Sequence, residues 1–228
     1  MKKFVYFLSI ISIINIVSCA PAQKIVYSLD QIPVSQDFSN TSVSIHLFND
    51  IRNQLDDNSV YLTSASPEKV IEKKRQCINT EKLYKIPVNE QITDIFAQHL
   101  KKKNYFSRVF VNQKDSADYY VTANIVHFAG GQQFSVKSAI GAGFGLIGAI
   151  ATANLKTDGS IIIELSDINI YDKNNNLVAQ IGNLKKEYSG KFPVTADCYC
   201  IYRNINDKLS EFNEELTQII WLELKDKK

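Results

Sequence analysis

Two segments of this 228-residue chain carry apolar residues at helical spacing, and the patterned stretches around them have the two-residue period of strands. After Pro87, the residues Val88, Ile92, Ile95, Phe96 and Leu100 recur at three- and four-residue steps and form one apolar stripe. Lys101 to Lys103 suit the negative end of that helix dipole, and Asn104 is a residue that tolerates the left-handed cap conformation. From about Asn204 to Leu224 the same spacing returns in Ile205, Leu209, Phe212, Leu216 and Ile219. Each stripe needs an apolar surface to cover, and strands supply it. Thr41 to Phe48 alternates, with Val43, Ile45 and Leu47 inward and His46 outward. Phe106 to Val111, Tyr119 to Phe128, Ser160 to Tyr171, Leu177 to Ile181 and Glu187 to Phe192 read as further strands. Tyr119, Val121, Ala123 and Ile125 share one face of theirs. Asp172 to Asn176 is a turn, and Asp167 interrupts its strand as a bulge or edge feature. The expectation is an α+β domain over 42–224, a mostly antiparallel sheet with two helices packed on one face. An irregular excursion is expected at 53–86, with a short strand near Val60 to Leu62.

The first eighteen residues have the three parts of a secretory signal: Lys2 and Lys3, an apolar run from Phe4, and a short polar-to-small exit. The run is too short for a spanning helix, which needs about 20 apolar residues. Its end, Ile16-Val17-Ser18-Cys19, resembles the lipobox of bacterial lipoproteins. That resemblance implies cleavage before Cys19 and acylation of this cysteine. Two or three chains at about 0.8 kcal/mol per buried CH₂ would make release from a bilayer slow. Ala20 is not the aspartate that resembles an inner-membrane retention signal, so the expected address is the outer membrane, facing the periplasm. Residues 19–41 are polar, lack periodicity, and read as a tether.

Loss of Lys2 and Lys3 lowers the basic count from 26 to 24, which equals the 24 acids. A neutral mature chain argues against nucleic-acid binding as the main role. Local basic clusters at 71–85 and 101–103 read as solvated surface. With Cys19 assigned to lipid, Cys77, Cys198 and Cys200 remain, an odd number for an oxidising compartment. Cys198 and Cys200 would share a strand face, where a bond between them is strained, so a bridge from Cys77 to one of them is the better candidate. A metal site built on these thiols is a weaker reading, and no metal or cofactor is expected.

Residues 138–155 (SAIGAGFGLIGAIATANL) are free of charge and hold four of the chain's nine glycines within eight positions, which marks them as unlike an ordinary loop. The glycine spacing lacks the strand-before, helix-after setting and the lysine-serine pair of a phosphate cradle. Either the glycines permit close backbone packing in a buried loop, or the segment is exposed and meets a partner or the bilayer through Gly141, Gly143, Phe144, Gly145, Leu146 and Gly148.

Val43-Ser44-Ile45 through Asp50-Ile51-Arg52 resembles the opening strand and D-x-R of small outer-membrane lipoproteins of the YajG and ABC-transport auxiliary type. Leu100 through Asn104-Tyr105-Phe106-Ser107-Arg108-Val109 is similar to their helix followed by G-F-x-x-V, with Asn104 in the glycine position. The run through Gly130-Gly131 and Gly141 to Gly145 to a strand ending at Asp172 and Asn176 resembles related lipoproteins of unknown function. The resemblance spans about 42–220 as an element order and implies a fold like the N-terminal domain of TolB and a non-catalytic envelope role. The excursion at 53–86, the cysteines and the missing turn glycine depart from the pattern.

No residues assemble a nucleophile, base and oxyanion site. The three histidines, His46, His99 and His127, lie in separate elements without ligand spacing, and His99 is expected at a surface or boundary. Asp50 and Arg52 are expected to pair structurally. The leading expectation is a membrane-anchored accessory or structural subunit of an envelope complex for lipid transport or secretion. It would hold a protein partner, with self-association also open. The competing expectations are a binder of a small apolar ligand between helices and sheet, and an oligomeric pore or secretion component that inserts 138–155 into the bilayer.

Overall fold

The computed structural model describes residues 32–52, 61–63, 86–133, 156–193 and 198–227. Their order is β1 (Ser39–Ile45), β2 (Asn49–Asp50), β3 (Tyr61–Thr63), α1 (Val88–Lys103), β4 (Phe106–Val111), β5 (Tyr119–Gln133), β6 (Lys156–Asp172), β7 (Leu177–Pro193) and α2 (Cys198–Leu224). One sheet takes the order β4-β1-β5-β6-β7, with the short β2 and β3 also paired to β5. The fold is α+β, as the alternation of periods predicts.

The sheet is mixed and not purely antiparallel. β5–β6 and β6–β7 are antiparallel, whereas β1 runs parallel to both β4 and β5, and β2 and β3 run parallel to β5. A link as short as 112–118 ordinarily joins antiparallel neighbours. Here it crosses over β1, which is slotted between the two strands that the link joins. Gln113 N donates to Ser44 Oγ at 3.1 Å and Asp118 N to the Ser42 carbonyl at 3.2 Å, so the crossing is stitched to β1. Ser44, outward by alternation, is buried beneath it.

The α1 stripe packs as its spacing requires; in α2 Ile220 is buried where Ile219 was expected, and Ile219 packs only in part. Val88, Ile92, Ile95, Phe96 and Leu100 of α1, and Ile205, Leu209, Phe212, Leu216 and Ile220 of α2, join Val43, Ile45, Val121, Ile125, Ile163 and Ile170 in one core. Pro87 precedes the first helical residue, and Asn104 closes α1 at φ 60° and ψ 29°, with its N–H on the Lys101 carbonyl. Leu47 departs from the pattern: β1 stops at Ile45, Leu47 is 45 % exposed, and Phe48 turns in instead. Its N–H donates to Thr93 Oγ1 at 2.9 Å, which fixes the phase change.

Asp167 is a bulge. Its φ is 49° and the β6–β7 register slips between Leu165 and Ile168. Asn124 Nδ2 and Ser166 Oγ both donate to its carboxylate, at 2.7 and 3.1 Å. The two strands expected at 177–181 and 187–192 are one strand, β7, whose Gly182 sits at φ +81° opposite Ile168. α2 starts at Cys198, six residues before the expected Asn204. β1 begins at Ser39, within the stretch read as tether, and Tyr61–Thr63 form the short strand near the expected position.

Candidate functional site

On the helix side, three charged or polar side chains meet beneath a groove. His99 lies on the same side of α1 as Phe96 and Leu100, and Lys103 follows one turn later; Glu214 reaches them from α2. His99 Nε2 is 3.0 Å from one Glu214 oxygen, and Lys103 Nζ is 2.5 Å from the other. His99 is 1 % exposed, a correction to the expected boundary position, because α2 closes over that side of α1. Its Nδ1 has no hydrogen-bond partner among the described residues. Burial holds the imidazole below its ordinary value, and Glu214 offsets only part of that. Burial by itself would raise the Glu214 carboxyl; the hydrogen bonds from Lys103 and His99 and the Lys103 charge outweigh it and leave the group below its usual range. The cluster is therefore a neutral histidine and an ion pair, with His99 Nε2–H the donor to Glu214.

The adjoining groove, about 850 Å³, runs between the two helices and the entering chain. Ile32 and Pro33 form one wall, and His99, Ser210, Glu214 and Gln218 line the rest. It is an open groove in which polar side chains stand beside a larger share of apolar surface. The space between helices and sheet, where a pocket for an apolar ligand was expected, is occupied among the described residues by Phe48, Phe96, Phe212, Ile125 and Ile163.

The uncovered face of the sheet carries a second set of polar groups. His46, Tyr120 and Tyr171 stack across three strands, with centroids 4.6 and 5.1 Å apart. Tyr120 Oη donates to Asn175 Oδ1 at 2.7 Å, and Lys114 lies over the Tyr120 ring and also bonds Asn175. Burial, and then the nearby Lys114 charge, hold His46 below its ordinary imidazole value. Farther along, His127 Nδ1 is 2.7 Å from Glu164, which also faces Lys185 at 3.6 Å. At the end of β2, Arg52 forks onto both Asp50 oxygens at 2.8 and 2.6 Å and is itself buried, the structural pairing expected of these two residues. None of these arrangements places a nucleophile beside a base and an oxyanion donor.

Cys19, Cys77 and the segment Gly141, Gly143, Phe144, Gly145, Leu146 and Gly148 lie outside the described residues, as do 53–60, 64–85 and most of the expected tether. Cys198 and Cys200 open α2 and are not on a strand. Two positions on a helix are about 200° apart around its axis, so the shared-face argument for that pair does not apply. The flanks of the glycine-rich segment are placed: β5 ends at Gln133 and β6 starts at Lys156, with Gln132 opposite Gly159. β3 and the end of β7 reach the same tip, through Thr63 opposite Gln133 and Pro193 opposite Lys156. The cluster at His99 was missed by sequence reasoning, although its signal was present: His99 is three residues after Phe96 and four before Lys103.

No family model and no curated protein matches the sequence. Solved structures do. A Xanthomonas campestris protein described under family-model DUF330 superposes with a TM-score of 0.57 at 9 % identity, over 90 % of this chain and 97 % of that one. A PelC dodecamer from Paraburkholderia phytofirmans matches at 0.33 and 8 % identity, over 82 % of this chain and 93 % of that one. An uncharacterized lipoprotein B from Nitrosomonas europaea matches at 0.35 and 9 % identity, over 85 % and 88 %. The first establishes a shared fold with a protein of nearly the same extent. The other two scores are too low to build on. Among the described residues, no helix is long and apolar enough to cross a membrane.

Proposed function

We propose that this protein is a lipid-anchored, non-catalytic accessory subunit of a bacterial envelope complex. The observation that carries the reading is the Ile16-Val17-Ser18-Cys19 window behind a basic and apolar leader. The fold shared with the DUF330-type protein is compatible with it. A role in holding a partner draws support from two features. β7 is a 17-residue strand at the edge of the sheet, with a row of backbone groups that a partner strand can pair. The charge-free 138–155 stretch follows β5 and precedes β6 in the chain, and its lack of charge suits contact with a partner or a bilayer. The filled helix–sheet space weighs against the apolar-ligand reading.

Two experiments test this. Labelling cells with an alkyne analogue of palmitate should mark the wild-type protein, and Cys19→Ser should lose the label and keep its leader. Normal processing of that variant would end the anchored reading. Crosslinking of whole envelopes followed by purification should yield a protein partner, or further copies of this chain. Loss of those crosslinks on deletion of 139–153 would assign the contact to the tip. A chain that emerges without any partner but with a bound lipid would favour the ligand binder instead.

A further inference from the structure

The end of the domain where the chain enters has the make-up of a lipid-facing surface. Ser35 N donates to the Lys103 carbonyl at 3.0 Å, and Ser39 N to the Tyr105 carbonyl at 2.8 Å. Trp221, near the end of α2, stacks on Tyr105 at 4.8 Å and meets the edge of Phe106 at 5.7 Å. The entering segment, the C-terminal ends of both helices and the starts of β1 and β4 are thereby gathered together. Val34, Phe38 and Leu222, which are 67, 52 and 58 % exposed, belong to these same segments. The two backbone bonds hold Val34 and Phe38 against the domain.

Single exposed apolar side chains are ordinary, whereas three on segments gathered at one end of a domain, together with a half-buried tryptophan, are of the kind that marks an interface. An indole sits well at headgroup depth. Exposed Lys101, Lys102, Lys225 and Lys227 outnumber exposed Asp37, Glu223 and Asp226 by one, so charge adds little and the apolar side chains dominate.

We propose that this end rests on the bilayer that holds the Cys19 anchor, an inference that builds on the anchored reading above. Chain length names the occupant. Val34 lies fifteen positions after Cys19, and a fully extended chain of that length reaches at most about 50 Å. Val34 is thus always within that distance of the anchoring lipid. The other end of the sheet is different. β5 runs 15 residues from Tyr119, level with Val43 of β1, to Gln133. At about 3.3 Å per residue its far tip stands roughly 50 Å from the entry end. With the entry end on lipid, the far tip, where β5 ends at Gln133, stands away from that membrane.

Trp221 is the chain's single tryptophan, which makes it the reporter. The lipidated protein is reconstituted into phosphatidylethanolamine–phosphatidylglycerol vesicles whose acyl chains carry bromine at shallow or deep positions. Quenching of Trp221 by the shallow label, weaker with the deep one, is the expected result. The combined variant Val34→Ser, Phe38→Ser, Leu222→Ser should keep its circular dichroism and its palmitate label and lose the quenching. An anchored protein whose Trp221 is not quenched, or a triple variant quenched as strongly as the parent, overturns the proposal. Crosslinks between copies through position 222 in place of quenching would also overturn it, by giving the patch to a second copy. Palmitate labelling is read on the same samples. A missing label counts against the anchor itself, while quenching still decides whether this end meets lipid.

Discussion

On one face of the sheet Val43, Val121, Ile125, Leu165 and Ile170 are buried beneath two helices; on the other, Tyr120, Thr122, Asn124, Glu164 and Asn169 stand with no helix of the described residues over them. Each side holds a histidine–carboxylate pair. His99 is closed in between the helices, 1 % exposed, with Glu214 reaching it from the groove, while His127 keeps 22 % of its surface and shares Glu164 with a lysine that is half in solvent. The same pairing therefore meets different dielectric surroundings. On the helix side, removal of one partner strands another in a dry site; on the open face water can substitute for part of what is lost.

The largest test of this contrast is apolar. Phe212→Ala, at the centre of the covered face, should cost about 3–5 kcal/mol in urea unfolding. Thr122→Ala, on the uncovered face, should stay within about 0.5 kcal/mol, and a comparable loss at both positions would break the comparison. Next is Glu214→Ala, which leaves Lys103, 7 % exposed, and His99 without their acceptor. A loss of about 1–3 kcal/mol is expected, against a smaller one for Glu164→Ala.

The pH dependence sharpens the same point. With its pKa lowered by burial, His99 binds fewer protons folded than unfolded below about pH 6.5, so its contribution is present at neutral pH and is lost on acidification. Glu214, also lowered, loses its contribution in the same direction at lower pH still. The urea midpoint should fall between about pH 7.5 and 5.5, and His99→Gln should shrink that fall, leaving the part due to His46, which is lowered too. An unchanged fall in His99→Gln would show that this imidazole is not the titrating group. The smallest effect is expected from Lys185→Ala, whose exposed ion pair with Glu164 contributes no more than about 0.5 kcal/mol.

Much of the architecture was legible in the order of residues. Both helical stripes, the Asn104 cap, the Asp172–Asn176 turn and the Asp167 bulge follow from local rules of spacing and backbone preference, and each lies where those rules put it. The turn is held as expected for its residue types, by Asp172 Oδ1 accepting from the backbone N–H groups of Asn174 and Asn176. Leu47 was misread because alternation assumes that a strand continues, and the Phe48–Thr93 hydrogen bond that ends it comes from a helix 45 positions away. His99 was misread for a related reason: its burial depends on α2, whose Glu214 lies 115 residues farther along.

By itself, the sequence determined the periods of its elements, the pairing of Asp50 with Arg52, and an N-terminal window that resembles a lipobox, because these depend on residues within a few positions of one another. Only the tertiary structure decided that β1 lies between β4 and β5 and makes the sheet mixed, that His99, Lys103 and Glu214 form one buried cluster, and that the entering chain shares its end of the domain with Trp221. Strand neighbours and helix partners are chosen by which apolar faces can be covered together. That choice depends on all the elements at once, and no local window of the chain contains it.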